Sequence, residues 1–143
     1  MAFWLFNCAP RESSATPVVE RVDQLLDAEV WDIAHDEPHR DSLAPGDLVL
    51  IYLGAPQRVF VAHAEVASSV HSWGPDERGP SSPDPGRSGV RLVQVERWDP
   101  PVPMDDVLSR IGPGSQAKAD FDKGVVGITR HEFEAALAEA STR

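Results

Sequence analysis

The stretch that decides the fold is Met1-Ala2-Phe3-Trp4-Leu5-Phe6-Asn7-Cys8. Aromatic and branched side chains in direct succession are typical of a buried strand, because they pack well on a pleated surface. Residues 10–14 are Pro, Arg, Glu, Ser and Ser, so we expect the strand to end at Asn7. An amide side chain at that exit offers two donors and one acceptor, which suits it to reading the edge of a planar polar ligand.

Further strands follow at short intervals through the chain. Pro45-Gly46-Asp47 has the chemistry of a tight turn and leads into an apolar run. Residues 54–57 separate this run from an alternating one, which predicts a hairpin. The expected strands after the first are residues 30–34, 48–53, 59–67, 90–96 and 125–128.

Three amphipathic helices are predicted between and after these strands. Thr16-Pro17 has the composition of an N-cap followed by proline at the first helical position, and apolar residues continue at helical spacing to about Asp27. Residues 104–111 repeat apolar side chains with the same period. Thr129 and Glu132 form the two halves of a capping box, which predicts a last helix beginning after Thr129.

This arrangement predicts an α+β fold. Short strands with interspersed helices lack the regular βαβ alternation of a doubly wound sheet. We therefore expect a single domain over residues 1–143, built as a small mixed β barrel flanked by short helices. Residues 72–89 are rich in Gly, Pro, Ser and Asp, and we expect a flexible polar insert there, with Trp73 as its one aromatic residue.

Length and composition are those of a globular domain. The chain has 143 residues, of which 41% are hydrophobic, and one cysteine. It is long enough to bury a core, but it cannot form an internal disulfide or a cysteine metal cluster. No apolar run approaches the length of a membrane span and no signal-peptide pattern is present, so we expect a cytoplasmic protein with no membrane partner.

The formal net charge of −10 restricts how the chain could hold nucleic acid. Proteins that bind phosphates generally present a basic face, because counterion release drives non-specific binding. Lys118 and Lys123 are the only lysines, so arginine supplies most of the cations. Arginine suits bidentate phosphate contacts, although a GC-rich genome would produce the same excess. Any nucleic-acid contact is expected to be local, or another protein must supply the phosphate contacts.

Several blocks, in order, resemble the EVE family of PUA-like domains, a β-barrel group that also includes the m6A-reading YTH domains. The blocks are Phe3-Trp4-Leu5-Phe6-Asn7, Trp31, Pro45–Tyr52, Phe60–Val66 and Gly127–Phe133. Together they span most of the chain. The resemblance implies a PUA-like pseudo-barrel that binds a modified nucleobase, with no metal and no cofactor.

The resemblance also implies which residues form a base pocket. Trp31 takes the position of a pocket-wall aromatic, with core packing as the alternative role, and Asn7 lies near the base edge. His35 follows Trp31 closely in the sequence, so we add it as a candidate at the pocket rim and a second contact to the base edge. Tyr52 and Trp73 are further candidates for stacking, which contributes roughly 1–3 kcal/mol per base. The candidate phosphate contacts are Arg58, Arg87 and Arg91.

Other chemistry has weaker support. His35 and His39 would share a helical face as metal ligands, but Pro38 between them disfavours that helix. His63 and Glu65 fall on one face of a predicted strand and could form an acid–base pair, although a structural hydrogen bond is the commoner role. The sequence contains neither a nucleophile elbow nor a phosphate-binding glycine loop. No catalytic residue is therefore predicted.

The leading hypothesis is a non-enzymatic reader of a modified nucleobase, cytosine or adenine, in DNA rather than RNA. A flipped base would enter an aromatic pocket, and the wrong base would leave polar groups unpaired. A separate effector protein such as a nuclease is the partner that this hypothesis suggests. Two alternatives are a small-ligand or free-nucleotide binder, and a module whose acidic surface binds a basic protein.

Overall fold

The computed structural model describes residues 2–8, 18–33, 39–54, 58–72, 88–111 and 125–141. These residues form seven strands, three α-helices and one 3-10 helix. The strands are β1 (Phe3–Cys8), β2 (Val30–Ile33), β3 (Leu48–Leu53), β4 (Val59–Val66), β5 (His71–Ser72), β6 (Ser88–Pro103) and β7 (Val125–Ile128). The helices are α1 (Val18–Asp27), the 3-10 helix Arg40–Ser42, α2 (Met104–Ile111) and α3 (Arg130–Ser141).

The strands form a curled mixed sheet in the order β2-β6-β4-β3-β1-β7, with β5 paired to β6. β3 and β4 form the predicted hairpin. β1 lies between β3 and β7, parallel to β3 and antiparallel to β7. A mixed, curled sheet flanked by helices confirms the predicted fold class. Because β1 and β3 are parallel and in register, they end at the same edge of the sheet.

β6 is much longer than the strand predicted over residues 90–96, and this is a correction. It has 16 residues and connects β2 and β5 to β4. Pro100 and Pro101 would normally end a strand, since proline cannot donate to the ladder. Here the pairing with β4 passes from Arg97 directly to Val102, so both prolines lie in a bulge where no donated hydrogen bond is required.

Apolar side chains pack on both faces of the central strands and form two cores. The inner core contains Trp4, Phe6 and Trp31 and lies between the sheet, α1 and β2. The outer core contains Tyr52 and Phe133 and lies between the sheet, α2 and α3. Because successive side chains of a strand point to opposite faces, β1 contributes alternately to the two cores.

A buried acid before β3 connects three segments of the chain. Asp47 is 5% exposed. Its Oδ1 accepts a hydrogen bond from the Ala2 amide at 3.0 Å, while its Oδ2 accepts from the Trp4 indole at 2.9 Å and from the Ala44 amide at 3.1 Å. Gly46 beside it has φ of 95°, which glycine adopts without strain. The sequence indicated only a turn here, so this network around Asp47 is an addition from the structure.

The start of α3 confirms the predicted capping box. The Thr129 amide donates to Oε1 of Glu132 at 2.9 Å, and the Glu132 amide donates to Oγ1 of Thr129 at 3.1 Å. Both amides would otherwise lack a partner within the helix. The cap predicted at Thr16-Pro17 lies outside the described residues. Within the part of the chain that the structure describes, no helix is long and apolar enough to cross a membrane.

The polar insert predicted over residues 72–89 is too wide at both ends. Ser72 belongs to β5 and pairs with Ser88 of β6, while His71 pairs with Gly89. The Ser88 hydroxyl is buried and donates to the Ile33 carbonyl at 3.0 Å. Composition did not indicate that Ser72, Ser88 and Gly89 belong to strands, because serine and glycine are common in loops. Residues 73–87 lie outside the described part of the chain.

Candidate functional site

Asn7 lies near the end of β1, where β1 and β3 finish side by side. It pairs in register with Tyr52 and is 8% exposed. Its amide packs over Gly54, since a β carbon at Gly54 would lie 3.0 Å from Oδ1 of Asn7. Glycine therefore leaves the space that the amide occupies. We refer to Asn7, Tyr52, Gly54 and Arg58 as the strand-exit site.

Tyr52 forms the apolar side of the strand-exit site. Its hydroxyl donates to Sδ of Met104 at 3.2 Å, and its ring lies 5.1 Å from that of Phe60. Burial raises the pKa of Tyr52 above its usual value of 10.0, an effect that Arg58 opposes and Asp105 adds to. The hydroxyl therefore stays protonated and remains a hydrogen-bond donor at neutral pH.

Arg58 is exposed at the rim of the same site, immediately before β4. Its amide donates to the Gly54 carbonyl at 3.3 Å, and its carbonyl accepts from the Met104 amide at 2.9 Å. Its φ of 50° is unusual for a residue with a β carbon. Both backbone contacts hold the start of this side chain beside Gly54, close enough for its charge to act on Tyr52.

Trp31 lies in the inner core and not at the strand-exit site. It is 4% exposed and stacks on Phe6, with ring centroids 5.7 Å apart and planes 22° apart. Phe6 precedes Asn7 on β1, so the stacked pair and the Asn7 side chain point to opposite faces of the sheet. Trp31 and Tyr52 therefore belong to separate cores, and the structure does not bring these two predicted stacking residues together.

The predicted phosphate contacts are spread over the molecule. Arg58 immediately precedes β4, whereas the Arg91 carbonyl accepts from the Ala67 amide just beyond the other end of that strand. An eight-residue strand spans roughly 23 Å, so these two arginines could not contact one phosphate. His35, Trp73 and Arg87 lie outside the described residues.

A second polar cluster was not anticipated as such from the sequence. The Trp98 indole Nε1 donates to Nδ1 of His63 at 2.8 Å, and Nε2 of His63 lies 3.5 Å from Glu96. The predicted partner of His63 was Glu65, on its own strand, but the observed contacts come from β6. The sequence offered one signal for His63, which is its alternation with apolar neighbours along the strand. It could not predict the contacts with β6, because the pairing of β4 with β6 is interrupted by bulges.

The geometry around His63 requires a neutral imidazole. Nδ1 can accept the indole proton only while it carries none itself. Burial lowers the pKa of His63 below its usual value of 6.5, and the neighbouring Glu96 carboxylate opposes this shift without cancelling it. His63 is therefore uncharged at neutral pH and rigidly oriented.

His63 should make the stability of the protein depend on pH. Its pKa is lower in the folded than in the unfolded chain, so the unfolded chain binds more protons between the two values. The free energy of unfolding should therefore rise with pH up to about 6.5. Urea unfolding at a series of pH values measures this slope. In His63→Gln, whose side-chain oxygen can accept from Trp98, the slope should be smaller; an unchanged slope would contradict the assignment.

The alternative prediction, a metal site with His35 and His39 as ligands, gains no support within the described residues. His39 packs its ring 5.3 Å from that of Trp4. No group of three or more metal-ligating side chains comes together in the described ranges. His35, its predicted companion, lies outside those ranges.

Comparison with known proteins identifies structures that share this fold. No protein-family model matches the chain, and no curated protein matches it in sequence. The DUF55 domain of human thymocyte nuclear protein 1 superimposes with a TM-score of 0.67 at 14% identity, covering 99% of this chain and 100% of that one. Human THYN1 in complex with DNA containing 5-methylcytosine gives 0.62 at 11% identity, covering 100% and 99%.

The N-terminal domain of McrB from Staphylothermus marinus is also similar. It gives a TM-score of 0.59 at 12% identity, covering 95% of this chain and 93% of that one. Such low identities carry the likeness of fold and nothing finer. The curled mixed sheet and its flanking helices thus confirm the expected architecture: the chain has the PUA-like fold of the DUF55, or EVE, domain.

Proposed function

We propose that this chain is a non-enzymatic module that binds nucleic acid carrying a modified nucleobase, with DNA favoured over RNA. The observation that carries the proposal is the Asn7 amide, held against Gly54 at the joint end of two parallel strands. Support comes from human THYN1, which has the same fold over 99% of its solved chain and was solved with DNA containing 5-methylcytosine.

In this proposal Asn7 contacts the edge of an extruded base. Its amide can donate two hydrogen bonds and accept one, the pattern needed to distinguish base edges. His35 is proposed as a second edge contact, and Trp31, Tyr52 and Trp73 as the aromatic residues that stack on the base. Trp31 is stacked on Phe6 in the inner core, on the opposite face of the sheet from Asn7. Its participation therefore requires the indole to leave that core when the base enters.

Phosphate contacts in the proposal are few. The net charge of −10 opposes a broad electrostatic interface, so affinity must come mainly from the base. Of the two proposed contacts that the structure describes, Arg58 is better placed than Arg91 because it belongs to the strand-exit site; Arg87 and Arg91 remain secondary proposals. A separate effector, such as a nuclease, would convert binding into a biological outcome.

A free nucleotide or another small planar ligand is a second candidate for the same site. The acidic surface favours it, since a single nucleotide carries far less of the negative charge that such a surface repels than an oligonucleotide does. The two proposals differ in what an oligonucleotide adds. A nucleic-acid reader binds the oligonucleotide more tightly than the nucleoside, whereas a small-ligand binder does not.

The test is a tryptophan-fluorescence titration with short oligonucleotides that are unmodified or contain 5-methylcytosine, 5-hydroxymethylcytosine or N6-methyladenine, beside the free nucleosides. We expect one modified oligonucleotide to bind at least about tenfold more tightly than its unmodified counterpart, as expected when the wrong base leaves polar groups unpaired. Absence of any selective response at low salt would refute the reader proposal.

The variant Gly54→Ala tests, in the same titration, whether the Asn7 amide contacts the base. Its added β carbon would lie 3.0 Å from Oδ1 of Asn7 and must displace the amide. We expect affinity for the selected oligonucleotide to fall by about tenfold, equivalent to one well-formed hydrogen bond. Gly127→Ala is the matched control, because its β carbon would meet Trp4 at an ordinary 3.6 Å. Equal affinities for the two variants would argue against Asn7 as the base contact.

A further inference from the structure

A cleft of about 440 Å³ lies on the outer side of the sheet, against the C-terminal half of α3. It is lined by His63 of β4, by Glu96, Trp98 and Asp99 of β6, and by Leu137 and Ala140 of α3, among others. No residue of the strand-exit site lines it. Its volume is within the usual range for ligand sites, so it can hold a side chain or a small molecule.

The aromatic wall of this cleft is held in place before any ligand arrives. The Trp98 indole donates to His63 at 2.8 Å and packs against the His63 and Phe60 rings, with centroids 5.8 and 6.4 Å away. A ring that is already ordered loses little conformational freedom when a ligand packs on it.

The charged groups of the cleft that are not neutralised by ion pairs with α1 are negative. Arg97 is the one cation among the lining residues that the structure describes, and its guanidinium already contacts Asp23 at 2.7 Å and Asp27 at 2.6 Å on α1. His63 is neutral in its bond with Trp98. Glu96, whose side chain is 72% exposed, and Asp99 therefore give the rim its negative charge.

We propose that this cleft binds an arginine side chain of a basic polypeptide partner, a role beyond the nucleobase function proposed above. The guanidinium would lie beside the Trp98 indole and the Glu96 carboxylate, and the aliphatic stem would cover Leu137 and Ala140. Arginine fits better than lysine because its planar group can stack on an aromatic ring and bind a carboxylate at once. The net charge of −10 would attract the rest of a basic segment.

Occupation of the cleft should oppose protonation of His63. A proton on Nδ1 would remove the acceptor for Trp98 and place a cation beside the guanidinium. The Glu96 carboxylate lies 3.5 Å from Nε2 of the ring, with Arg97 and Asp99 on the same strand as Glu96 and with Glu65 on β4. From α3, the apolar Phe133 packs against the ring and Leu137 lines the cleft. Because coupling between two sites is reciprocal, a bound guanidinium must lower the pKa of His63 further.

The experiment is an NMR titration of the full chain with acetyl-Gly-Arg-Gly-amide and with its citrulline counterpart, following the Trp98 indole and His63 ring signals. We expect saturable shifts with the arginine peptide and binding of the citrulline peptide weakened by about tenfold, because citrulline is uncharged. Glu96→Gln should weaken arginine-peptide binding by about threefold, the scale of one exposed charge pair. Asp41→Asn removes the same charge from the 3-10 helix and should leave affinity unchanged.

Four results would overturn the proposal. These are equal binding of the citrulline peptide, equal weakening by Glu96→Gln and Asp41→Asn, a His63 pKa that the saturating arginine peptide leaves unchanged or raises, and binding of n-propylguanidine as tight as that of the peptide. The last would assign the cleft to small cations. A Trp98→Phe protein, which keeps a flat ring but loses the bond to His63, should bind the arginine peptide more weakly at unchanged net charge.

Discussion

Replacing Asp47 with alanine is expected to destabilise the protein by about 3–5 kcal/mol. The carboxylate accepts from two backbone amides and from the Trp4 indole, which is itself buried in the inner core. Alanine would leave these donors without their acceptor, and a buried unsatisfied donor costs about 1–3 kcal/mol. Urea unfolding followed by tryptophan fluorescence measures the loss.

Asp47→Asn separates hydrogen bonding from charge. Its side-chain oxygen can replace Oδ2 and keep the Trp4 and Ala44 donors, while its NH₂ group faces the Ala2 amide and cannot accept. We therefore expect a smaller loss, of about 1–2 kcal/mol. Asp41→Ala is the surface control and should stay within about 0.5 kcal/mol of the wild type. If Asp47→Ala matched that control, the network around Asp47 would have no role in stability.

The sequence correctly predicted the elements whose formation depends only on residues close together in the chain. The apolar run 48–53 is bounded by turn residues and became β3 with the predicted limits. Thr129 and Glu132 need only each other to form a cap, and they do so in the structure. Residues 104–111 form the predicted helix, because helical periodicity is complete within two turns.

The candidate site was less accessible to sequence reasoning, because its assembly depends on pairing between distant strands. Asn7 was identified as a strand-exit amide, but its contact with Gly54 follows from the parallel pairing of β1 and β3, which no local pattern specifies. Alternation along β1 does place Phe6 and Asn7 on opposite faces. The helices α1, α2 and α3 determine which core each face of the sheet belongs to. Their packing places Trp31 in one core and Tyr52 in the other, and the local sequence pattern does not specify it.

Trp31→Ala is expected to destabilise the protein by about 3–5 kcal/mol, the usual cost of removing a large aromatic side chain from a core. The indole is 4% exposed and stacks on Phe6, so its loss leaves a cavity between β1 and β2 that the surrounding strands cannot close. Trp31→Phe retains a flat ring against Phe6 and should cost less, about 1–2 kcal/mol. Unfolding in urea, monitored by circular dichroism because a fluorophore is removed, gives both values.

Val93→Ala on β6 is the control, since Val93 is 36% exposed and its truncation should change stability by less than about 0.5 kcal/mol. A Trp31→Ala protein as stable as this control would show that the indole contributes little to the inner core. Trp31→Phe then separates packing from recognition, because it remains folded. If Trp31 stacks on the base as proposed, the smaller ring lowers affinity for the modified oligonucleotide by about threefold to tenfold. If Trp31 only packs in the core, the affinity of the folded protein is unchanged.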